Sequence, residues 1–187
     1  MKVYPSQELL KRLLSYDPVT GLWVWLERTP DMFDAHSRAG RGEISAEMAC
    51  KIWNNKFAGK LAGSIEKAGY RIIRIGKYQY KAHILAVIFV TGFKPILFTD
   101  HEDLDRANNI YSNLRDATRS ENNTNVGPRK NNKLGVKGVR QHGKRFEARI
   151  TKDKIVYQLG TFDTLEGATD AVSKAALKLH GEFARTT

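Results

Sequence analysis

The most regular stretch of the chain is Arg145-Phe-Glu-Ala-Arg-Ile-Thr151, where polar Arg145, Glu147, Arg149 and Thr151 alternate with apolar Phe146, Ala148 and Ile150. A period of two predicts a strand with one face in a core and the other basic. Lys154-Ile-Val-Tyr-Gln-Leu159 continues the sheet after a turn at Lys152-Asp153, and Ala168, Val172, Ala175, Ala176 and Leu179 then trace a helical stripe. Asp163 with Glu166 fits a capping box at the start of that helix, and Gly181 fits its end. Three strands followed by one helix predict a three-stranded antiparallel sheet packed on a helix.

Towards the N-terminus, Leu9, Leu10, Leu13 and Leu14 recur at helical spacing after Pro5 and predict a short helix over roughly 6–16. Pro18 and Gly21 make a turn, Leu22-Trp-Val-Trp-Leu26 reads as a strand, and 28–57 shows no clear period. Tyr70-Arg-Ile-Ile-Arg-Ile75 and Tyr78-Gln-Tyr80 predict a hairpin, and Ala82 to Thr91 a buried helix stopped by Gly92. The polar segment 125–133, with Gly127-Pro128, reads as a linker. The fold class is therefore α+β, divided into a β-rich N-terminal extension (1–59), a core (60–125), a linker (126–133) and a C-terminal unit (134–187).

Charge changes this picture. The 187 residues carry a formal +11, distributed as +7 over 1–99, −3 over 100–125 and +7 over 126–187. Such a balance points to a polyanionic partner. An acidic block of Asp100, Glu102, Asp103, Asp105, Asp116 and Glu121 between two basic flanks would repel phosphate, unless a divalent cation reconciles them or the block is simply a solvated loop. The single cysteine, Cys50, excludes an intramolecular disulfide and any zinc site needing two cysteines of this chain. It fits a reducing compartment. The start lacks a secretory apolar core, and Ile84 to Val90, the longest apolar stretch, is far short of the roughly 20 residues that span a bilayer. No membrane partner and a cytoplasmic location are expected.

Hydrolysis of a phosphodiester needs a base for water and a cation for the charge that builds on oxygen. Asp100 and His101 are adjacent, so within a strand they would face opposite ways. A strand ending there would let both reach one site. The run Asp100-His101, then Asn113-Leu-Arg-Asp-Ala-Thr-Arg-Ser-Glu-Asn122, resembles the HNH endonucleases of the phage and intron-homing branch, as do the lead-ins Lys81-Ala-His-Ile-Leu-Ala86 and Thr91-Gly-Phe-Lys-Pro95. The resemblance implies a ββα-metal fold over about 60–125. By position it makes His101 the general base, Asp100 and Asn122 the ligands of one divalent metal, and Asn113 the brace of the loop that orients His101. Many members carry His where this chain has Asn122, and an oxygen-only site favours Mg2+ or Mn2+ over Zn2+. Asn123 and Asn125 stand as alternative helix ligands, and a turn-forming amide is the alternative for Asn113. His83 reads as a packed helix residue, and His36, His142 and His180 as surface residues.

The segments Gly135-Val-Lys-Gly-Val-Arg140, Arg145-Phe-Glu-Ala-Arg-Ile150, Leu159-Gly-Thr-Phe-Asp-Thr164 and Ala175-Ala-Leu-Lys-Leu-His-Gly-Glu-Phe-Ala184 resemble the Apetala, or ethylene-response-factor, DNA-binding domain. That family lays its sheet in the major groove, which here would present Lys137, Arg140, Lys144, Arg145, Arg149, Thr151 and Gln158. Arginine reads guanine edges bidentately, and lysine more often meets phosphate. Gln158 and Gly143 stand at or near places where plant members carry tryptophan, and Arg149 replaces an acid, so the plant target does not transfer. The leading expectation is a metal-dependent endonuclease of phage or mobile-element type acting on double-stranded DNA, in a bacterial cytoplasm if phage-encoded. It could nick as a monomer or cut both strands as a dimer. The alternatives are a non-catalytic DNA-binding regulator, against which the joint presence of Asp100, His101, Asn113 and Asn122 speaks, and an RNA-binding protein, which a major-groove sheet does not favour.

Overall fold

The structure, a computed structural model, describes residues 3–34, 44–129 and 131–184. The chain divides into two compact units, Met1–Arg115 and Asp116–Thr187. Among the described residues no helix is long and apolar enough to cross a membrane. The surface reading of His36 lies outside the described residues.

In the first unit, α1 (Gln7–Leu13) starts where the Ser6 hydroxyl accepts from the Leu9 N–H, and it buries Leu10 and Leu13. It stops earlier than its leucine spacing predicts, because Leu14 turns extended and opens β1 (Leu14–Tyr16). This strand pairs antiparallel with β2 (Trp23–Trp25), and Tyr16 stacks on Trp23 at 4.6 Å. Burial against two tryptophans outweighs one more turn of helix propensity.

The stretch without a clear period contains α2 (Ala46–Phe57), capped by Ser45. Only Ala49 and Cys50 are buried on it, so it shows no wide apolar stripe. Cys50 Sγ and Asn54 Nδ2 both donate to the Arg28 carbonyl, while the Arg28 guanidinium lies 3.7 Å from the Trp53 ring centre. The expectation of a β-rich extension is thereby corrected: helices of 7 and 12 residues outweigh two strands of three residues each.

β3 (Ser64–Ile65), β4 (Arg71–Ile75) and β5 (Tyr78–Lys81) form a sheet in that order. Gly76, at φ +57°, makes the tight turn of the predicted hairpin. α3 (Ala82–Thr91) follows directly, burying Ala82, His83, Leu85, Ala86 and Ile88, and ends on left-handed Gly92. Leu10, Leu14, Trp23, Ile73 and Leu85 centre the core. β6 (Phe98–His101) and β7 (Leu114–Ala117) then form a two-stranded sheet, and the division between units falls inside β7.

The second unit carries α4 (Arg119–Thr124), whose start is a capping box of Thr118 and Glu121. β8 (Val139–His142), β9 (Arg145–Lys152) and β10 (Ile155–Phe162) lie in the order β10-β9-β8. Asp153 and Lys154, both at positive φ, close the β9–β10 hairpin. α5 (Leu165–His180) packs on the sheet through Ala168 and Val172, against Val136, Val139 and Ala148. Its cap is Thr164, which accepts from the Gly167 N–H, rather than the predicted Asp163; Asp163 instead pairs with Arg145 at 2.8 Å. Gly138 has no alternative residue: a Cβ there would sit 2.4 Å from the Arg149 carbonyl oxygen. Asn132 and Val126, from the segment predicted as a linker, accept or donate hydrogen bonds with Val136 and Lys137.

Candidate active site

β6 ends at His101, where the chain turns and the Leu104 N–H donates back to the His101 carbonyl at 3.1 Å. Both residues of the Asp-His pair are buried, Asp100 at 6% and His101 at 4% exposure. Arg115, one residue into β7, donates from Nε and Nη2 to Asp100 Oδ2, each at 3.2 Å. With side chains 14% and 7% exposed, this is a buried ion pair.

His101 Nε2 lies 3.5 Å from Oδ1 of buried Asn109, at the outer limit of a hydrogen bond. Asn109 is held by its own Nδ2, which donates to the Ala107 carbonyl at 2.8 Å, and by Tyr16 Oη, which donates to its carbonyl at 2.6 Å. Burial lowers the pKa of His101, and the Asn109 contact and the charges of Asp103, Asp100 and Asp105 oppose this without reversing it. The imidazole is therefore neutral near pH 7.

Asn113 ends a short 3-10 turn, Tyr111–Asn113, before β7. Its Oδ1 accepts from the Asp103 N–H at 3.0 Å, and its Nδ2 donates to Asp103 Oδ1 at 2.9 Å and to the Asn108 carbonyl at 3.0 Å. One amide thus ties both ends of the loop that follows His101. Burial raises the pKa of Asp103, but hydrogen bonds from Asn108, Asn113 and the Asp105 N–H bring it below the ordinary carboxylate value.

His83, on the buried face of α3, meets the His101 ring edge-on at 4.8 Å. Its Nδ1 is buried without a hydrogen-bond partner, and burial, with the charges of His101 and Lys81, pushes its pKa down to about 3. Tyr70 completes the cluster, its ring 5.2 Å from His83 and 6.1 Å from His101. The packed reading of His83 agrees with its burial, but its contact with His101 was not legible from its spacing.

Asn122 lies on α4 in the second unit, half-buried, with exposed Asn123 beside it and buried Asn125 beyond. No cluster of three or more His, Cys, Asp or Glu side chains suited to a metal occurs among the described residues. Asp100 and the asparagine amides are hard oxygen donors of the kind Mg2+ or Mn2+ takes.

On the second unit's sheet, the register pairs Arg140 with Glu147, Arg145 with His142, Arg149 with Gln158 and Thr151 with Val156. Paired residues share a face, as do alternate residues of one strand. Arg140, Arg145, Arg149, Thr151 and Gln158 accordingly lie on the face away from α5, and Lys152, on the other, donates to the Leu179 carbonyl at 2.6 Å. Two of these arginines are engaged: Arg140 Nε and Nη2 donate to Glu147 Oε2, and Arg145 pairs with Asp163. Arg149 forms no ion pair among the described residues. Lys144 sits exposed in the β8–β9 turn, and Lys137, outside the strands, donates to the carbonyls of Thr124 and Val126. His142 is exposed and His180 half-buried.

One curated relative carries a functional name. The chain is 31% identical over 119 residues to an uncharacterised HNH endonuclease of Acanthamoeba polyphaga mimivirus, a match covering 63% of this chain and 62% of that protein. The chain thus spans less than two thirds of the length of the relative it matches. No family model matches the chain. No solved structure matches it either.

A neutral, buried imidazole on a strand end, an acid next to it and a loop pinned by an amide can together take a proton from water and hold it. An amide oxygen only accepts, so the Asn109 Oδ1 contact suits the tautomer with hydrogen on Nε2 and the basic lone pair on Nδ1.

Proposed function

We propose that the chain is a DNA endonuclease of the HNH kind, hydrolysing phosphodiester bonds with His101 as general base. The observation that carries this reading is the burial of His101, neutral and oriented by Asn109, beside Asp100 at the end of β6. The similarity to a protein named HNH endonuclease supports it.

His101 Nδ1 takes a proton from a water molecule as that water's oxygen attacks phosphorus, and one P–O bond replaces another. Asn109 Oδ1 faces Nε2 and favours the tautomer with its hydrogen there, and Asn113 holds the loop that carries Asn109. A divalent cation, when bound, neutralises charge on the phosphoryl and leaving oxygens. Asp100, with Asn122 by resemblance, would hold it, and Mg2+ or Mn2+ suits such donors. On the second unit, the face bearing Arg140, Lys144, Arg145, Arg149, Thr151 and Gln158 supplies contacts to duplex DNA, with Lys137 as a further cation.

A second reading rests on a specific observation: Arg115 already occupies Asp100 Oδ2, and a cation must compete with it. A DNA-binding regulator without cleavage would need no such competition. Incubating the protein and its His101→Ala variant with supercoiled plasmid, with EDTA, Mg2+ or Mn2+, separates the two. Metal-dependent nicking or linearisation lost in His101→Ala supports the nuclease. Retarded but intact plasmid under every condition supports the regulator.

A further inference from the structure

From the contacts between β1, β2 and the loop after His101 we infer that Tyr16 is a positioning residue for the base: it fixes the Asn109 peptide, and through Asn109 the His101 ring. The inference rests on the nuclease reading and deepens it by giving the N-terminal hairpin a share in the geometry of the site. Three contacts from that hairpin meet one short segment of the loop. Tyr16 Oη donates to the Asn109 carbonyl at 2.6 Å, across 93 residues of sequence. The Tyr111 N–H donates to the Pro18 carbonyl at 2.9 Å. Gly21, at φ +69°, lies against the peptide that joins Asn109 to Ile110: a Cβ there would come within 2.4 Å of the Ile110 nitrogen and 2.5 Å of the Asn109 carbonyl carbon. Conformation and space both exclude a side chain from position 21.

The hairpin is itself braced where it makes these contacts. The Tyr16 ring stacks on Trp23 at 4.6 Å and meets Phe89 of α3 edge-on at 5.7 Å, which leaves the residue 6% exposed. In the turn, the Asp17 carboxylate accepts from the Val19 N–H and from the Thr20 hydroxyl, each at 2.8 Å. The Gly21 N–H donates to the Asp17 carbonyl at 2.8 Å. Burial, with the nearby Tyr111 and Asp17, raises the pKa of Tyr16, so the phenol keeps its proton and remains a donor.

The placement of Asn109 matters because its contact with the base has no slack. Asn109 Oδ1 faces His101 Nε2 at 3.5 Å, the outer limit of a hydrogen bond, and a small shift of the Asn109 backbone either tightens or breaks it. At 1% and 4% exposure, neither side chain can turn to bulk water for a substitute. The bonds of Asn113 reach Asp103 and Asn108, whereas those of the hairpin reach Asn109 and Tyr111, so the two braces hold different parts of one loop.

Tyr16→Phe tests this, since it removes one hydroxyl and keeps the ring that stacks on Trp23. On a duplex that the parent cleaves, kcat should fall about tenfold with KM unchanged. Tyr80→Phe, which removes a hydroxyl that donates to the Val3 carbonyl at 2.8 Å, should leave kcat unchanged. In an Asn109→Leu background, Tyr16→Phe should cost nothing further in kcat, because the amide through which Tyr16 acts is gone. Imidazole nitrogen and proton resonances, recorded without DNA or metal, give a second measure: Tyr16→Phe should move those of His101 and leave those of exposed His142 in place. If the parent cleaves and Tyr16→Phe matches it in kcat, or leaves the His101 resonances unmoved, the positioning role is wrong and the nuclease reading stands. A full further loss in the Asn109→Leu background, or an equal loss in Tyr80→Phe, would reduce Tyr16 to a part of the general fold. If the parent never cleaves and Tyr16→Phe still moves the His101 resonances, the hold on the ring stands and the nuclease reading falls; if they stay in place as well, both fall.

Discussion

The guanidinium of Arg115 and the carboxylate of Asp100 form an ion pair buried between β6 and the start of β7, with Nε and Nη2 both directed at one oxygen. Removing one member takes a counter-charge from the other in a buried site, a loss that costs about 3–5 kcal/mol. Arg115→Met is expected to lower Tm markedly. If Asp100 also binds the metal, millimolar Mg2+ should recover part of the loss in Arg115→Met and much less in Asp100→Ala, read as thermal shifts. Equal responses would remove Asp100 from the metal site.

His101→Ala takes away the proton acceptor while leaving the basic residues in place, so cleavage should fall by about 100-fold or more with little change in DNA affinity. Because burial lowers the His101 pKa, the parent rate should rise with pH and level off below the 6.5 of an ordinary histidine. Asn109→Leu withdraws the contact that opposes this shift, and should move the inflection lower while reducing kcat through loss of the ring's orientation. A profile still rising well above pH 6.5 would assign the base elsewhere.

His83 gives stability a pH dependence of its own. Its folded pKa, about 3, lies below the unfolded value of 6.5, so between these the unfolded chain binds the extra proton. Stability is full above pH 6.5 and is lost as pH falls towards 3. His83→Gln should flatten urea-midpoint curves in that window relative to the parent. Curves that stay parallel would show that His83 is not held neutral by the fold.

Much of this arrangement was written in local spacing, and the rest in contacts that spacing cannot encode. The 71–75 and 78–81 hairpin, the helix closed by Gly92 and the three-strand-plus-helix order of the second unit follow periodicities within single elements. α2 was obscure because it buries only two residues, and β1 because Leu14 satisfies both a helical stripe and a strand facing Trp25. Asp100 and His101 were visible as a motif. Arg115 was in the quoted Asn-Leu-Arg run, yet its role depends on a partner 15 residues away across a turn. His83 and Tyr70 reach His101 only through the packing of α3 and the loop before β4.

Asn122 tests the metal assignment at its weakest donor. An amide offers a dipole where Asp100 offers a full charge, so Asn122→Ala should be partly rescued by excess Mn2+ and Asp100→Ala should not. Asn122→His should tolerate transition metals better, imidazole being the softer ligand. Metal-dependent cleavage that survives in Asn122→Ala but fails in Asn123→Ala or Asn125→Ala would move the ligand along α4. Normal Mg2+-dependent cleavage in all three would exclude a ligand from this helix.

The arginines of the β8–β10 sheet should not contribute alike. Arg149, cross-strand from Gln158 and without an ion pair among the described residues, can turn its whole fork to a base edge, so Arg149→Ala should relax sequence choice at one position at a cost of about 1–3 kcal/mol. Arg140 must first release Glu147, and Arg145 must release Asp163. Glu147→Gln, which frees Arg140 and removes a charge that repels phosphate, should therefore tighten binding. Lys144→Ala should weaken binding to all sequences alike, because an exposed ammonium in a turn meets backbone phosphate rather than a base pattern. Competition binding of randomised duplexes reads all three. Unchanged preference in Arg149→Ala, together with unchanged affinity in Lys144→Ala, would take this face off the DNA.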